Sequence, residues 1–183
     1  MLKIRIPLIS LLCLLLLSGC LERRSTGAMF DDQNIEYRLI AALYDAEGID
    51  STSHIKVEVW ESVVLLMGET PTQQAKELAG RLAADVDRVD RVVNEIEVRP
   101  ELGLGGKLGN SWLSTRVKTA LIAGNPVPGF DATRIKVISS AGTVYLMGNL
   151  TEAEADEVTE IARNVGGVEK VVKVFNYIDA DKG

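Results

Sequence analysis

Cys20 has the most definite chemistry in this chain. It closes "LSGC" (Leu17 to Cys20), after a basic start with Lys3 and Arg5 and the apolar run "IPLISLLCLLLL". Small residues leading into a cysteine behind a short apolar run form the pattern of a bacterial lipoprotein signal. In that chemistry the thiol is joined by a thioether to diacylglycerol, the chain is cut before Cys20, and the new amine is acylated. The run is too short to span a bilayer comfortably. An ordinary secretory signal or a short membrane helix is the other reading. Cys13 falls in the removed segment, so no cysteine is left for a disulfide or a metal. One acyl chain holds a membrane reversibly and two or more hold it stably, so a triacylated Cys20 is a lasting anchor. Leu21 stands where the inner-membrane retention signal of enteric bacteria has aspartate. Outer-membrane sorting, with the protein on the periplasmic face, is the expectation.

The second group of candidates is Trp112, Thr115, Arg116, Lys118 and Thr119. Trp112, Thr115, Arg116 and Thr119 share one side of a helix, rotated away from the apolar stripe of Leu113, Val117 and Leu121. An outward tryptophan beside basic residues suits a lipid headgroup region, where the indole is buried and its N–H stays wet. Arg116 and Lys118 would each add roughly 1 kcal/mol near an anionic surface. No acid occurs between Lys107 and Phe130. The other reading packs Trp112 on the linker leucines or on the neighbouring unit and leaves Arg116 solvated.

Other chemistry is thin. The net charge of −6 argues against a nucleic-acid partner. His54 is the only histidine and opens a strand. No Ser-His-Asp set, metal-ligand cluster or phosphate loop is present. "TEAEADEVTE" reads as a solvated helix start and lacks the spacing of a calcium loop. The expectation is a non-catalytic protein with no cofactor beyond the covalent lipid on Cys20, no metal and no small-molecule substrate.

The elements that must position these residues occur twice. "VLLMGE" (Val64 to Glu69) returns as "VYLMGN" (Val144 to Asn149), and "IKV" occurs at Ile55 and at Ile135. Each unit reads helix-strand-strand-helix-strand. Ile35, Leu39, Ala42 and Leu43 mark the first helix, and Ala75, Leu78, Ala79 and Leu82 the second. "HIKVEVW" and "VVLLMG" flank a turn at Glu61-Ser62, and "VVNEIEV" is the third strand. Thr70-Pro71 reads as cap and first position of the second helix. Thr151 to Glu154 is a capping box, and Gly166-Gly167 closes the last helix. The fold class is α+β, each unit a three-stranded mixed sheet covered by two helices with a right-handed crossover. The divisions are a signal at 1–19, an acylated tether at 20–31, units at 32–99 and 111–179, and a glycine-rich linker at 100–110. From Cys20 to Asn34, fully extended, the chain reaches at most roughly 50 Å. The central strands are apolar on both sides, which means either a second buried face against the partner unit or tolerated surface residues.

The residues Val64-x-Leu66-x-Gly68, Ala75 and Val89-x-x-Val92-x-Asn94-x-Ile96 resemble the BON-domain family. Val144-x-Leu146-x-Gly148, Ala155 and Gly167-Val168-x-x-Val171 repeat the match. Arg88 departs from the family pattern where the second unit keeps Gly167, and "GNPVPGF" is an unusual insertion. With the lipobox, the arrangement is similar to dual-BON outer-membrane lipoproteins linked to division and outer-membrane stress. The resemblance implies anionic phospholipid binding by the second unit, presence at the division site, and support of envelope integrity. The alternative partner is an envelope protein, docked by one or both units with Trp112 as hot spot. Charge separates the two units: Phe30 to Val98 holds six basic and 15 acidic residues, a net of −9, whereas Asn110 to Asp179 holds seven and eight, a net of −1.

Overall fold

Val63 to Met67 and Thr143 to Gly148 are buried along their whole length, so both faces of these strands are covered. The computed structural model describes residues 25–99 and 110–179. Cys20, the signal run and residues 100–109 lie outside them. The first unit comprises α1 (Thr26–Asp45), β1 (His54–Trp60), β2 (Val63–Thr70), α2 (Gln73–Ala84) and β3 (Arg91–Val98). The second comprises α3 (Asn110–Gly124), a 3-10 turn (Ala132–Arg134), β4 (Ile135–Ser140), β5 (Thr143–Leu150), α4 (Glu152–Arg163) and β6 (Lys170–Tyr177). In each sheet the middle strand pairs antiparallel with the first and parallel with the third. The hairpins turn at Glu61-Ser62 and Ala141-Gly142, all four residues at positive φ, as two-residue turns between right-twisted strands require.

Strand alternation divides the apolar residues between two destinations. Val64 and Leu66 face the helices and pack with Ile35, Leu39, Ala79 and Ile96. Val144 and Leu146 do the same with Leu113, Val117, Ala155 and Phe175. The opposite face of each sheet meets the other: Trp60, Val63, Leu65 and Met67 pack with Tyr145, Met147 and Val174 in one cluster. The layers are therefore helices, sheet, sheet, helices. The second buried face is real, and it is the partner unit. Around it run polar ties between units: Lys136 to Glu58 at 2.5 Å, Lys170 to Glu95 at 2.9 Å, and Arg91 Nη2 donating to the Phe175 carbonyl at 3.0 Å. Burial of Tyr145 at this seam, with Glu95 and Glu97 near, pushes its phenol up to about 12.

Three boundaries move from their sequence expectation. The first helix begins at Thr26, inside the segment assigned to the tether, because Ser25 caps it by accepting from Ala28 N at 3.1 Å. Its opening residues are mostly exposed and carry no apolar period. The cap of α2 is Thr72, which accepts from Ala75 N at 3.2 Å. Thr70 ends β2 and is fully buried, so Pro71 lies in the bend before the cap and not at the first helical position. The last helix stops at Arg163, and Gly166-Gly167 lies beyond it, in the turn to β6.

The capping box of α4 forms as expected, with Thr151 N donating to Glu154 Oε2 at 2.8 Å and Arg134 Nη1 to Glu154 Oε1 at 2.7 Å. Burial works to raise the Glu154 carboxyl, but the Thr151 N–H and Arg134 outweigh it and hold the pKa below its usual 4.5. A carboxyl depressed in the folded state stabilises above its unfolded pKa and loses that contribution as pH falls through the folded one. Glu154→Gln is therefore expected to destabilise at neutral pH, with the gap to the parent closing below about pH 4 in urea unfolding series.

Candidate functional site

The α3 helix owes its outward face to its inward one. Leu113, Val117 and Leu121 are fully buried in the second core, which turns Trp112, Thr115, Arg116 and Thr119 to the surface. Trp112 is 47% exposed. The Arg116 guanidinium lies over its ring, 5.1 Å from the centroid. Such a stack is worth roughly 0.5–1 kcal/mol at an exposed site. Stacking uses the flat face of the guanidinium, whose donors lie in its plane. Thr119 Oγ1 donates to the Thr115 carbonyl at 2.9 Å. Ile122, one turn on and 65% exposed, extends this face; its helical spacing from Trp112 and Thr119 was available in the sequence.

Lys118 does not join them. Its ammonium donates to the carbonyls of Ala132 and Ile135, the latter at 2.5 Å, and is partly buried. It ties α3 to the start of β4. Lys118, expected beside Arg116 at an anionic surface, is instead engaged by backbone carbonyls.

Trp112 rests on Gly167. That glycine has φ +99, and a Cβ on it would come within 2.9 Å of Trp112 Cη2. The same place in the first unit is filled differently. Aligning the helices puts Asn34 at Trp112 and Arg38 at Arg116, and the turn puts Arg88, φ 69, at Gly167. Arg88 Nη1 pairs with Asp31 Oδ1 at 2.5 Å beside a polar cleft of about 180 Å³ lined by Asn34, Arg38 and Asp87. One unit has an indole on a glycine where the other has an ion pair. Gly167→Ala should push the indole off its seat, with strain at the left-handed backbone adding about 1 kcal/mol. The chain has two tryptophans, and Trp60 is buried. A change in acrylamide quenching on Gly167→Ala would therefore report Trp112 alone.

Asp32, which sequence reasoning passed over, is 5% exposed and accepts from the backbone N–H groups of Glu61 and Ser62 at 2.8 and 3.0 Å. It fastens α1 to the first hairpin and is structural. His54 is half-buried at the start of β1. Among the described residues no group of three or more His, Cys, Asp or Glu could hold a metal, and no helix is long and apolar enough to cross a membrane.

The chain is similar in sequence to several known proteins. A 21 kDa hemolysin of Actinobacillus pleuropneumoniae is 39% identical over 157 residues, covering 86% of this chain and 79% of that protein. Outer membrane lipoprotein DolP of Haemophilus influenzae is 35% identical over 158 residues, covering 86% and 80%. Osmotically-inducible protein Y of Escherichia coli is 32% identical over 148 residues, covering 79% and 72%. The BON domain model matches residues 31–100 and again 109–179, and the chain belongs to the BON-domain family.

Proposed function

We propose that the protein is a non-catalytic envelope lipoprotein, anchored by acyl chains on Cys20 at the periplasmic face of the outer membrane. In this reading its second unit binds anionic phospholipid through Trp112, Thr115, Arg116 and Thr119, with Ile122 beside them. The observation that carries it is a half-exposed indole under a guanidinium on a helix, Asn110 to Gly124, that contains no acid. Its relatives named as an outer membrane lipoprotein and as osmotically inducible support the compartment. The surface contact is weak alone. The acyl tether makes it effectively intramolecular, so it decides where an anchored molecule settles. It would concentrate where anionic lipid does, the division site included, and there support envelope integrity.

The test is co-sedimentation of an unacylated 21–183 chain with vesicles. Binding to phosphatidylglycerol and cardiolipin vesicles should fall with salt and be absent from phosphatidylcholine. Trp112→Glu should lower it about tenfold or more, which corresponds to roughly 1.4 kcal/mol. Lys118→Gln should leave it nearly unchanged. Equal binding by Trp112→Glu would remove the proposal and favour a protein partner on this helix.

A further inference from the structure

The two units differ at a second place, and there the second unit carries what the first lacks. In the second unit Lys118 reaches from α3 to the carbonyls of Ala132 and Ile135. The first unit repeats the aspartate-closed turn, with one residue more before the strand than the second unit has. Asp50 accepts from Thr52 N and Oγ1 at 2.9 and 2.5 Å, as Asp131 accepts from Thr133 N and Oγ1 at 2.9 and 2.7 Å. Ile55 pairs with Gly68 as Ile135 pairs with Gly148. The counterparts of Ala132 and Ile135 are therefore Ser51 and Ile55, and the counterpart of Lys118 is Ile40. No amine crosses from Ile40. In its place is a groove of about 340 Å³, lined by Ile40, Leu43, Tyr44, Ile49 and Ile55, with Asp50 and Ser51 also on its wall. Tyr44 is 89% exposed on its rim, and β1 is an edge strand of its sheet.

We infer that this groove takes a lysine side chain, set between apolar residues, from a partner protein. The internal copy defines the chemistry: an ammonium received by the carbonyls at the positions of Ser51 and Ile55, its methylenes lying along apolar side chains. The charge around the groove agrees. Tyr44 to Ser53 contains Asp45, Glu47 and Asp50 and no base, and the Thr52 hydroxyl and N–H hold the Asp50 carboxyl below its usual range, keeping it ionised. A lipid amine brings a phosphate with it, which these carboxylates repel. A protein lysine does not.

The test observes isoleucine δ-methyl signals of the full mature protein, lipid-anchored in phosphatidylcholine nanodiscs. The probe is acetyl-Ala-Leu-Lys-Leu-Ala-amide, compared with the same peptide acetylated on the lysine. The lysine peptide should shift Ile40, Ile49 and Ile55 saturably and leave Ile122 and Ile135 in place. Acetylation should weaken it about tenfold, the worth of a charged hydrogen bond. Ile40→Lys should abolish binding by filling the groove from within. Asp50→Asn, which keeps the turn, should weaken binding several-fold and serves if Ile40→Lys misfolds. Equal binding of the acetylated peptide, no saturable shift, or shifts centred on Ile122 would overturn the inference. So would shifts of Ile40 and Ile55 produced instead by phosphatidylethanolamine or phosphatidylglycerol in the nanodisc.

Discussion

Gly68→Ala is expected to destabilise the first unit by about 2–5 kcal/mol, from left-handed strain and a displaced strand together. Gly68 has φ +112, and a Cβ there would lie 2.0 Å from the His54 carbonyl oxygen. The obstacle is backbone, so no rotamer change relieves it; β1 must move off β2 or the register must slip. Gly148 holds the equivalent place, 2.4 Å from the Arg134 carbonyl oxygen, without positive φ in that range. Gly148→Ala should therefore cost less than Gly68→Ala. Urea unfolding of both variants measures the order, and equal costs would show that the clash alone, not the backbone conformation, requires glycine.

Leu65→Asp is the second large effect. Leu65 is fully buried in the seam between the sheets, in a cluster with Tyr145, Met147 and Val174. An unpaired carboxylate there costs roughly 3–5 kcal/mol while it stays buried. The chain has a cheaper route, which is to part the sheets. Val64 and Leu66, on the other side of β2, still hold α1 and α2. Calorimetry is expected to show one cooperative transition in the parent and a lower, broadened or divided one in Leu65→Asp. A single transition at the parent temperature would mean that the seam contributes little.

Much of this was legible in the sequence, for identifiable reasons. The duplicated Met-Gly strand located two units because a close backbone approach needs glycine at the same point in each. "VVLLM" does not alternate, and a strand covered on both faces has no reason to. The site was read less completely. Trp112, Thr115, Arg116 and Thr119 follow from helical spacing against the buried Leu113 stripe. Lys118 falls near that stripe, but its direction is set by carbonyls 14 and 17 residues away, one in the 3-10 turn and one at the start of β4. The seat under Trp112 showed only as a difference between copies, glycine against Arg88. Thr70-Pro71 reads as a helix start in the sequence, and the burial of Thr70 in β2 moves the capping role to Thr72.

The stacked sheets have a consequence for how a duplicated protein can meet its surroundings. Each unit spends its open sheet face on the other, so α1 and α3 look outward in opposite directions. Layers spaced about 10 Å apart put them roughly 30 Å from each other. A flat bilayer can touch one of them at a time. Duplication here does not double the grip on one target; it gives the molecule a polarity.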